Sequence, residues 1–328
     1  MTSQSEPVKI AIIGAGNVGA TTAYSLLLKE LAAEIVLVDV DRGKAEGEAL
    51  DLNDVIPFSH WTRVRAGSYA DCADAAVTIV AAGSDLEGGE PGLNLAQRNA
   101  SILYGAIPEI VRYAPRTILL IATTPIDVMT YLSGKLSGFD AKRVIGLGTM
   151  GDTARLRFLL GRHFGIDPLS VHAYIIGQHG DAEVPVWSLA NIAGISLQDF
   201  CEHQGEKYAQ AEMETLFRQA SSAGHEIVRR KGAMCYTVAA GLVRIIEAIS
   251  GNENTLLTVS SLAAHYGISE VCLSLPTKIN RNGADRILQL PLNQEELSGL
   301  VKAAESVKTA IRGLGLDAKL ADDGVATA

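Results

Sequence analysis

Three groups of residues in this 328-residue chain have types and spacings that could do chemistry. The first is Gly14-Ala15-Gly16-Asn17-Val18-Gly19, a GxGxxG pattern that follows the apolar run VKIAII. Twenty residues past Gly19, closing the run EIVLVD, stands Asp39. Glycines at such a turn let backbone amides approach a pyrophosphate at the start of a helix. An aspartate at that distance accepts hydrogen bonds from a ribose diol and repels a 2′-phosphate, which selects NAD over NADP. GxGxxG alone is a weak signal, and a plain glycine turn with a solvent aspartate is the bland reading. The order of strand, glycine turn, helix and strand favours the dinucleotide. The second group is Gly177-Gln178-His179-Gly180-Asp181, a histidine between glycines at a strand end, either projecting into a cleft or a loop histidine with no task. The third is Asp152 and Arg155, which share a helix face at i, i+3. They are either a working pair or a surface ion pair.

The elements that must hold these residues can be read from periodicity. VKIAIIGAG, AEIVLVDV, AAVTIVAAG and RTILLIATT read as short buried parallel strands rich in Val and Ile. Helical patterns lie between them, in NVGATTAYSLLLKE, in RGKAEGEALDLNDV and after a glycine-rich stretch at residues 83–99, GSDLEGGEPGLNLAQRN. Alternating strand and helix predicts an α/β fold, a doubly wound parallel (Rossmann) sheet, followed by an α+β substrate domain. The second part carries an amphipathic helix at DTARLRFLLGRHFG, a strand at VHAYIIGQHG, a long helical region from about Gln204 to Ser250 broken near KGAMC, strands in VCLSLPTKINRNGADRILQL and a closing helix in QEELSGLVKAAESVKTAIRGL. The expected division is residues 7–147 for the dinucleotide domain and 148–316 for the substrate domain, with residues 1–6 and 317–328 flexible.

Composition narrows the function. Hydrophobic residues are 48% and charged residues 20%, an ordinary globular balance, and the net charge of −9 argues against nucleic acid or an anionic membrane as the main partner. No apolar run reaches the length of a membrane span, and MTSQSEPVKI lacks the pattern of a signal peptide. Cys72, Cys201, Cys235 and Cys272 have no metal or redox spacing, so they read as reduced, buried thiols of a cytoplasmic protein, and no metal site is expected.

GAGNVG with Asp39, PIDVMTY, GDTARLR, HAYIIGQHGDAEVPVWS and YGISEVCLSLP together resemble the L-lactate/malate dehydrogenase family, most closely its bacterial L-lactate dehydrogenase branch. The resemblance runs from about Val8 to Gly315. It implies an NAD-dependent oxidoreductase that moves a hydride between nicotinamide and a small 2-oxo or 2-hydroxy acid, in a homotetramer. By resemblance His179 is the proton acceptor and donor, Asp152 the carboxylate that orients its ring, and Arg155 the fork that grips the substrate carboxylate. Gly14, Gly16, Val18, Gly19, Asp39, Lys44, Tyr69, Gly83 and Ser84 form the expected cofactor set. Arg157 and His172 match a pair that binds fructose 1,6-bisphosphate in bacterial members; the bland reading is a satisfied arginine and a structural histidine. Trp187 reads as packing.

The pattern breaks in residues 83–99, the substrate lid of the family. Leu86 stands where lactate enzymes carry Gln and malate enzymes Arg, and Gly92 stands where the family has the arginine that polarises the carbonyl. Thr124 replaces an asparagine at the substrate, and Met234 a threonine lining the pocket. Loss of one preorganised donor lowers such a rate by about 10²–10³. Leu86 and Met234 argue against a dicarboxylic substrate and favour an apolar side chain. Two alternatives stay open at this point: the same scaffold acting on a sugar acid or a phosphonate, and a non-catalytic NAD-binding paralogue.

Overall fold

The apolar runs of the first half lie side by side because both of their faces are covered. In the computed structural model, which describes residues 8–84, 92–205 and 207–315, they are β1 (Val8–Ile13), β2 (Ala32–Val38), β3 (Arg63–Ala66), β4 (Val77–Val80), β5 (Ile118–Ile121) and β6 (Val144–Gly146). These six are parallel, in the order β3-β2-β1-β4-β5-β6. The connecting helices are α1 (Asn17–Leu28), α2 (Arg42–Val55), α3 (Gly92–Tyr113) and α4 (Ile126–Ser137). Alternate residues of β1 face opposite layers, as a period of two requires. Ile10 and Ile12 pack with Ala23, Leu26 and Leu27 of α1 and Ala45 and Ala49 of α2. Ala11 and Ile13 pack with Leu103 and Ile107 of α3 and Leu132 of α4. Each such aliphatic side chain, removed from water, contributes about 1.5–3 kcal/mol.

The remaining elements are α5 (Met150–Phe164), β7 (Val171–His172), β8 (Ile175–Gln178), β9 (Ala182–Pro185), β10 (Asn191–Ile192), β11 (Ile195–Ser196), α6 (Leu197–Gln204), α7 (Gln210–Lys231), α8 (Tyr236–Ser250), β12 (Thr255–Leu262), β13 (Cys272–Asn280), β14 (Gly283–Ile287) and α9 (Gln294–Gly313). Past β6 the same sheet continues in antiparallel fashion through β12, β13, β8 and β9, with β14 also on β13. β7, β10 and β11 form a separate small sheet. Helix α8 covers one face of the large sheet through Leu242, Ile245 and Ile246, and α9 the other through Leu300, Ala303 and Val307. A third core joins α5 and α7 through Leu156, Leu160, Met213 and Ala220.

The expected doubly wound parallel sheet is present, with α/β structure after it. Three details differ from the reading of the chain. The glycine-rich stretch was expected to run to residue 99, but α3 begins at Gly92. Its buried stripe of Leu95, Ala96, Ala100, Leu103 and Ile107 keeps helical spacing through that segment, which outweighs its Gly and Asn. The strand read in VHAYIIGQHG divides into β7 and β8, which join different sheets. Short β3 and β6, α4 and β12 were not anticipated; β3 is only RVRA and β6 only VIG, too brief for a periodic signal. Residues 1–7, 85–91, 206 and 316–328, and with them Leu86 and most of the expected lid, lie outside the described residues.

Candidate active site

The strand order reverses between β1 and β4, and in open α/β sheets ligands bind outside the carboxyl ends of the strands at that switch point. There the first motif turns from β1 into α1. Gly14 has φ +101°, and a Cβ on it would come within 2.5 Å of the Ala82 nitrogen. A Cβ on Gly19 would run into the Gly14 carbonyl oxygen. Both positions therefore require glycine, and the backbone is left open to a ligand. Gly16 caps α1 with no side-chain hydrogen bond, so no side chain claims the first amides of that helix for itself. Asp39, at the end of β2, accepts from the Ala15 amide through Oδ2 (2.7 Å) and from the Asp41 amide through Oδ1 (2.9 Å). It is pinned beside the glycine turn and half-buried.

The other expected cofactor residues lie on α1, on α2 and in the segments that follow β3 and β4. Lys44 Nζ lies 3.9 Å from where a Cβ on Gly16 would stand. Val18 packs against the core beneath α1. Tyr69 is half-buried, and burial together with the fields of Cys72, Glu109 and Asp39 raises its hydroxyl above the usual range. Past β4, the Ser84 amide donates to Asn99 Oδ1 (2.7 Å), and Asn99 Nδ2 donates to the Thr124 carbonyl (2.6 Å). Gly83 sits against Thr123 and Asn99. Buried Asn99 thus ties the loop after β4 to the loop after β5, where the Thr124–Pro125 peptide is cis. The closed-in glycines, the uncapped helix start and the pinned aspartate suit a dinucleotide: pyrophosphate at the α1 amides, ribose at Asp39.

The second and third groups of the sequence meet at one point. Asp152, in the first turn of α5, is 3% exposed, and its Oδ2 is 2.7 Å from His179 Nδ1. An ionised carboxylate only accepts, so Nδ1 carries the hydrogen and Nε2 is left to exchange a proton. The ring is 24% exposed, enough for a substrate to reach it. Arg155 is 12% exposed. It donates to Asp152 Oδ1 (3.1 Å), to the Ala220 carbonyl of α7 (2.7 Å) and to Met234 Sδ (3.4 Å). This is a half-buried, multiply held arginine rather than a surface ion pair. Met234 stands beside it as expected, while Thr124 is exposed at the neighbouring loop and Gly92 opens α3.

Two acids that the sequence reading did not single out stand against the histidine. Asp127, fully buried in the first turn of α4, accepts from the His179 amide through Oδ2 (2.8 Å). Its Oδ1 accepts from Ser260 (2.6 Å) and Ser274 (3.3 Å). Glu183 of β9 is the second: its Oε1 accepts from the Gly180 amide (3.1 Å) and lies 3.5 Å from His179 Nδ1. Asn99, which ties the two loops described above, was not singled out either. Asp127 stood in an apolar run, IDVM, where a lone acid is a signal; Glu183 is four residues past His179 in a run that reads only as strand.

The charges are coupled. Burial opposes ionisation of Asp152, but the hydrogen bond and field of His179 and the field of Arg155 prevail and hold it below the usual carboxylate range. Burial likewise opposes the imidazolium, yet Asp152 and Glu183 outweigh it and raise His179 well above its ordinary value. Burial pushes Asp127 and Glu183 up. The donor atoms of Asp152, His179 and Glu183 lie within 4.8 Å of one another. Their hydrogen bonding accounts for that closeness.

Away from this point, Arg157 donates through Nε to the Val171 carbonyl (2.5 Å), and burial lowers its guanidinium from the usual value. His172 follows Val171 on β7 and is exposed, so Arg157 and His172 meet at the same short strand. Trp187 packs on the third core and donates to Glu214 (2.9 Å). Cys72, Cys201, Cys235 and Cys272 are buried thiols.

Comparison with known proteins agrees with this geometry. Residues 8–146 match the family model described as lactate/malate dehydrogenase, NAD binding domain, and residues 149–314 match lactate/malate dehydrogenase, alpha/beta C-terminal domain. The chain is 49% identical to a probable L-lactate dehydrogenase of Schizosaccharomyces pombe, over 96% of each chain. It is 46% identical to an L-lactate dehydrogenase of Acetivibrio thermocellus, over 94% of this chain and 98% of the relative. Among solved structures, a ligand-bound minor L-lactate dehydrogenase from Enterococcus mundtii superposes with a TM-score of 0.90 at 33% identity, over 93% of this chain and 98% of that one.

Proposed function

The chain belongs to the lactate/malate dehydrogenase family, and from that premise we propose that it is an NAD-dependent dehydrogenase of L-2-hydroxy acids, acting on a substrate with an apolar side chain. The observation that carries the reading is the His179–Asp152 pair at 2.7 Å with Arg155 beside it. When bound, the nicotinamide supplies or accepts the hydride at the substrate's C2.

The chain's own residues do the rest. In reduction His179 holds a proton at Nε2 and passes it to the substrate oxygen; in oxidation the neutral ring takes it back. Asp152 fixes the tautomer through Nδ1 and balances the imidazolium. Arg155 binds the substrate carboxylate as a fork, and Met234, with its apolar thioether, borders the same arginine. Leu86 and Thr124 complete the substrate side, while Gly14, Gly16, Val18, Gly19, Asp39, Lys44, Tyr69, Gly83 and Ser84 hold the cofactor. Gly92 supplies no side-chain donor for the developing oxyanion, so pyruvate is a poor substrate and a larger apolar acid, oriented by its own burial, is a better one. We further propose a cytoplasmic homotetramer, supported by four buried thiols for the compartment and by the resemblance to bacterial lactate dehydrogenases for the assembly, with Arg157 and His172 as a bisphosphate-binding pair.

The test is NADH oxidation across pyruvate, oxaloacetate, phenylpyruvate and 2-oxoisocaproate, for the natural protein and for Gly92→Arg. The natural protein should prefer the bulky apolar acids. Gly92→Arg should raise the rate with pyruvate by up to about 10²–10³. Absence of turnover with every acid in both proteins would refute the dehydrogenase.

A further inference from the structure

We propose that Glu183 is a second counter-ion of the His179 ring, sharing its Nδ1 side with Asp152 and biasing the ring toward its protonated, ketone-reducing form. This rests on the reading of His179 as the proton carrier.

The geometry sets Glu183 apart from an ordinary loop acid. Its side chain is 2% exposed, and its Oε1 is 3.5 Å from Nδ1. The Gly180 amide donates to the same oxygen at 3.1 Å and so anchors the carboxylate against the ring. The other oxygen, Oε2, is buried without a hydrogen-bond partner. Nδ1 has one hydrogen, and Asp152 at 2.7 Å takes it. Orientation of the ring is thus already secured, and Glu183 adds field rather than a further hydrogen bond to the ring.

A buried carboxylate left half unpartnered is disfavoured unless positive charge stands close. The charged groups facing it are few. Helix α5 brings Asp152 and Arg155, joined at 3.1 Å. Helix α4 brings Asp127, which meets the backbone nitrogen of His179. Helix α9, packed on β8 and β9, presents Gly299 against Val184 and Ala303 against Gly177. Helix α7 contributes the Ala220 carbonyl that receives Arg155. Asp127 is common to both ring states; with it set aside, Asp152 and Glu183 balance Arg155 and the protonated ring, and leave one excess negative charge when the ring is neutral. With one carboxylate fewer the neutral ring would leave no excess. The second acid therefore favours the imidazolium, the form that can give a proton to a ketone oxygen.

A structural role predicts something else. If Glu183 only caps the Gly180 amide, Gln does the same with its own carbonyl oxygen, and the titration of the ring does not move. The experiment uses the NADH-bound protein with histidines labelled at Cε1, the His179 signal assigned by its loss in His179→Asn. The titration midpoint is read by NMR in the natural protein, Glu183→Gln, Glu183→Ser as a second neutral variant, and Glu183→Asp. We expect the neutral variants to titrate about one pH unit lower or more, with Glu183→Asp restoring part of the shift. The alkaline limb of kcat/KM for reduction should move down with the midpoint in Glu183→Gln. An unmoved midpoint in both neutral variants overturns the proposal and, in an active enzyme, leaves the dehydrogenase reading intact. A midpoint that moves in a protein reducing no 2-oxo acid overturns that reading and leaves the charge pairing standing, because the NMR titration needs no turnover.

Discussion

A single imidazole carries the pH behaviour expected of this protein. His179 is raised because Asp152 and Glu183 outweigh its burial. In the proposed reaction reduction needs the protonated ring and oxidation the neutral one, so the two directions should show opposite limbs through one midpoint. The kcat/KM for ketone reduction should stay level across neutral pH and fall on the alkaline side, while that for alcohol oxidation rises there. The same shift acts on stability. A group raised in the folded state contributes stability that is full below its unfolded value, about 6.5, and that is lost as pH rises through the folded value. Urea midpoints should therefore decline from neutral to alkaline pH in the natural protein and decline less in His179→Asn. A parallel decline in both would show that His179 is not raised. His179, Asp152 and Arg155 were legible in the chain because a histidine between glycines and an acid–base pair at i, i+3 are local patterns. Asp127 and Glu183 were not. Asp127 acts on a backbone nitrogen 52 positions away, and nothing in a strand pattern distinguishes an acid turned toward a ring from one turned toward water.

At the scale of elements, a turn after β3 brings Tyr69 to the cofactor side, and Asp71 builds that turn. Asp71 Oδ2 accepts from the amide and hydroxyl of Ser68, both at 2.8 Å, and Oδ1 accepts from Arg65 (2.7 Å), which also reaches Glu34 on β2 (2.8 Å). The Ser68 amide, then Arg65 and the Ser68 hydroxyl, hold the carboxyl down to about 2. Asp71→Ala should lower stability by about 1 kcal/mol or less, since the carboxylate is partly in water, and should weaken NADH binding more than it lowers kcat. The sign in pH is fixed: a depressed carboxyl stabilises above its ordinary range, and the benefit disappears as pH falls through about 2. The stability gap between the two proteins should close in that acid range, and a gap that persists would assign the effect to lost packing. Elements were well read where the apolar period was long, as in β1, β2, α5 and α9. The reading failed where an element was brief, as in β6, or where glycine and asparagine diluted a helical stripe, as at the start of α3.

Over the whole molecule, the division expected near residue 147 is crossed by one continuous sheet, eleven-stranded among the described residues. The two cores beside it draw side chains from both halves: the first reaches from Ala11 to Leu314, the second from Ile10 to Ala284. Packing across the middle of the chain has no periodic signature, so only the absence of a linker hinted at it. Its consequence is that the last helix bears on the loop that carries His179. Gly299 of α9 lies against Val184 of β9, and the Ala303 Cβ is 3.2 Å from where a Cβ on Gly177 would stand, two residues before His179. Small residues at both contacts let α9 approach the β8–β9 hairpin closely. Ala303 is fully buried, so a larger side chain there has no solvent to enter. Ala303→Leu should push the hairpin away from α9 and carry His179 with it, while the glycine turn and Asp39, at the far strands of the sheet, keep their places. We expect stability to fall by about 1–3 kcal/mol and kcat to fall by about 10²-fold for a displacement near an ångström, with the Kd for NADH unchanged. Stopped-flow NADH binding and steady-state turnover on the same preparation separate the two quantities. If kcat falls and the Kd rises together, the sheet transmits the strain across its full width, and the substrate and cofactor sides are one rigid unit.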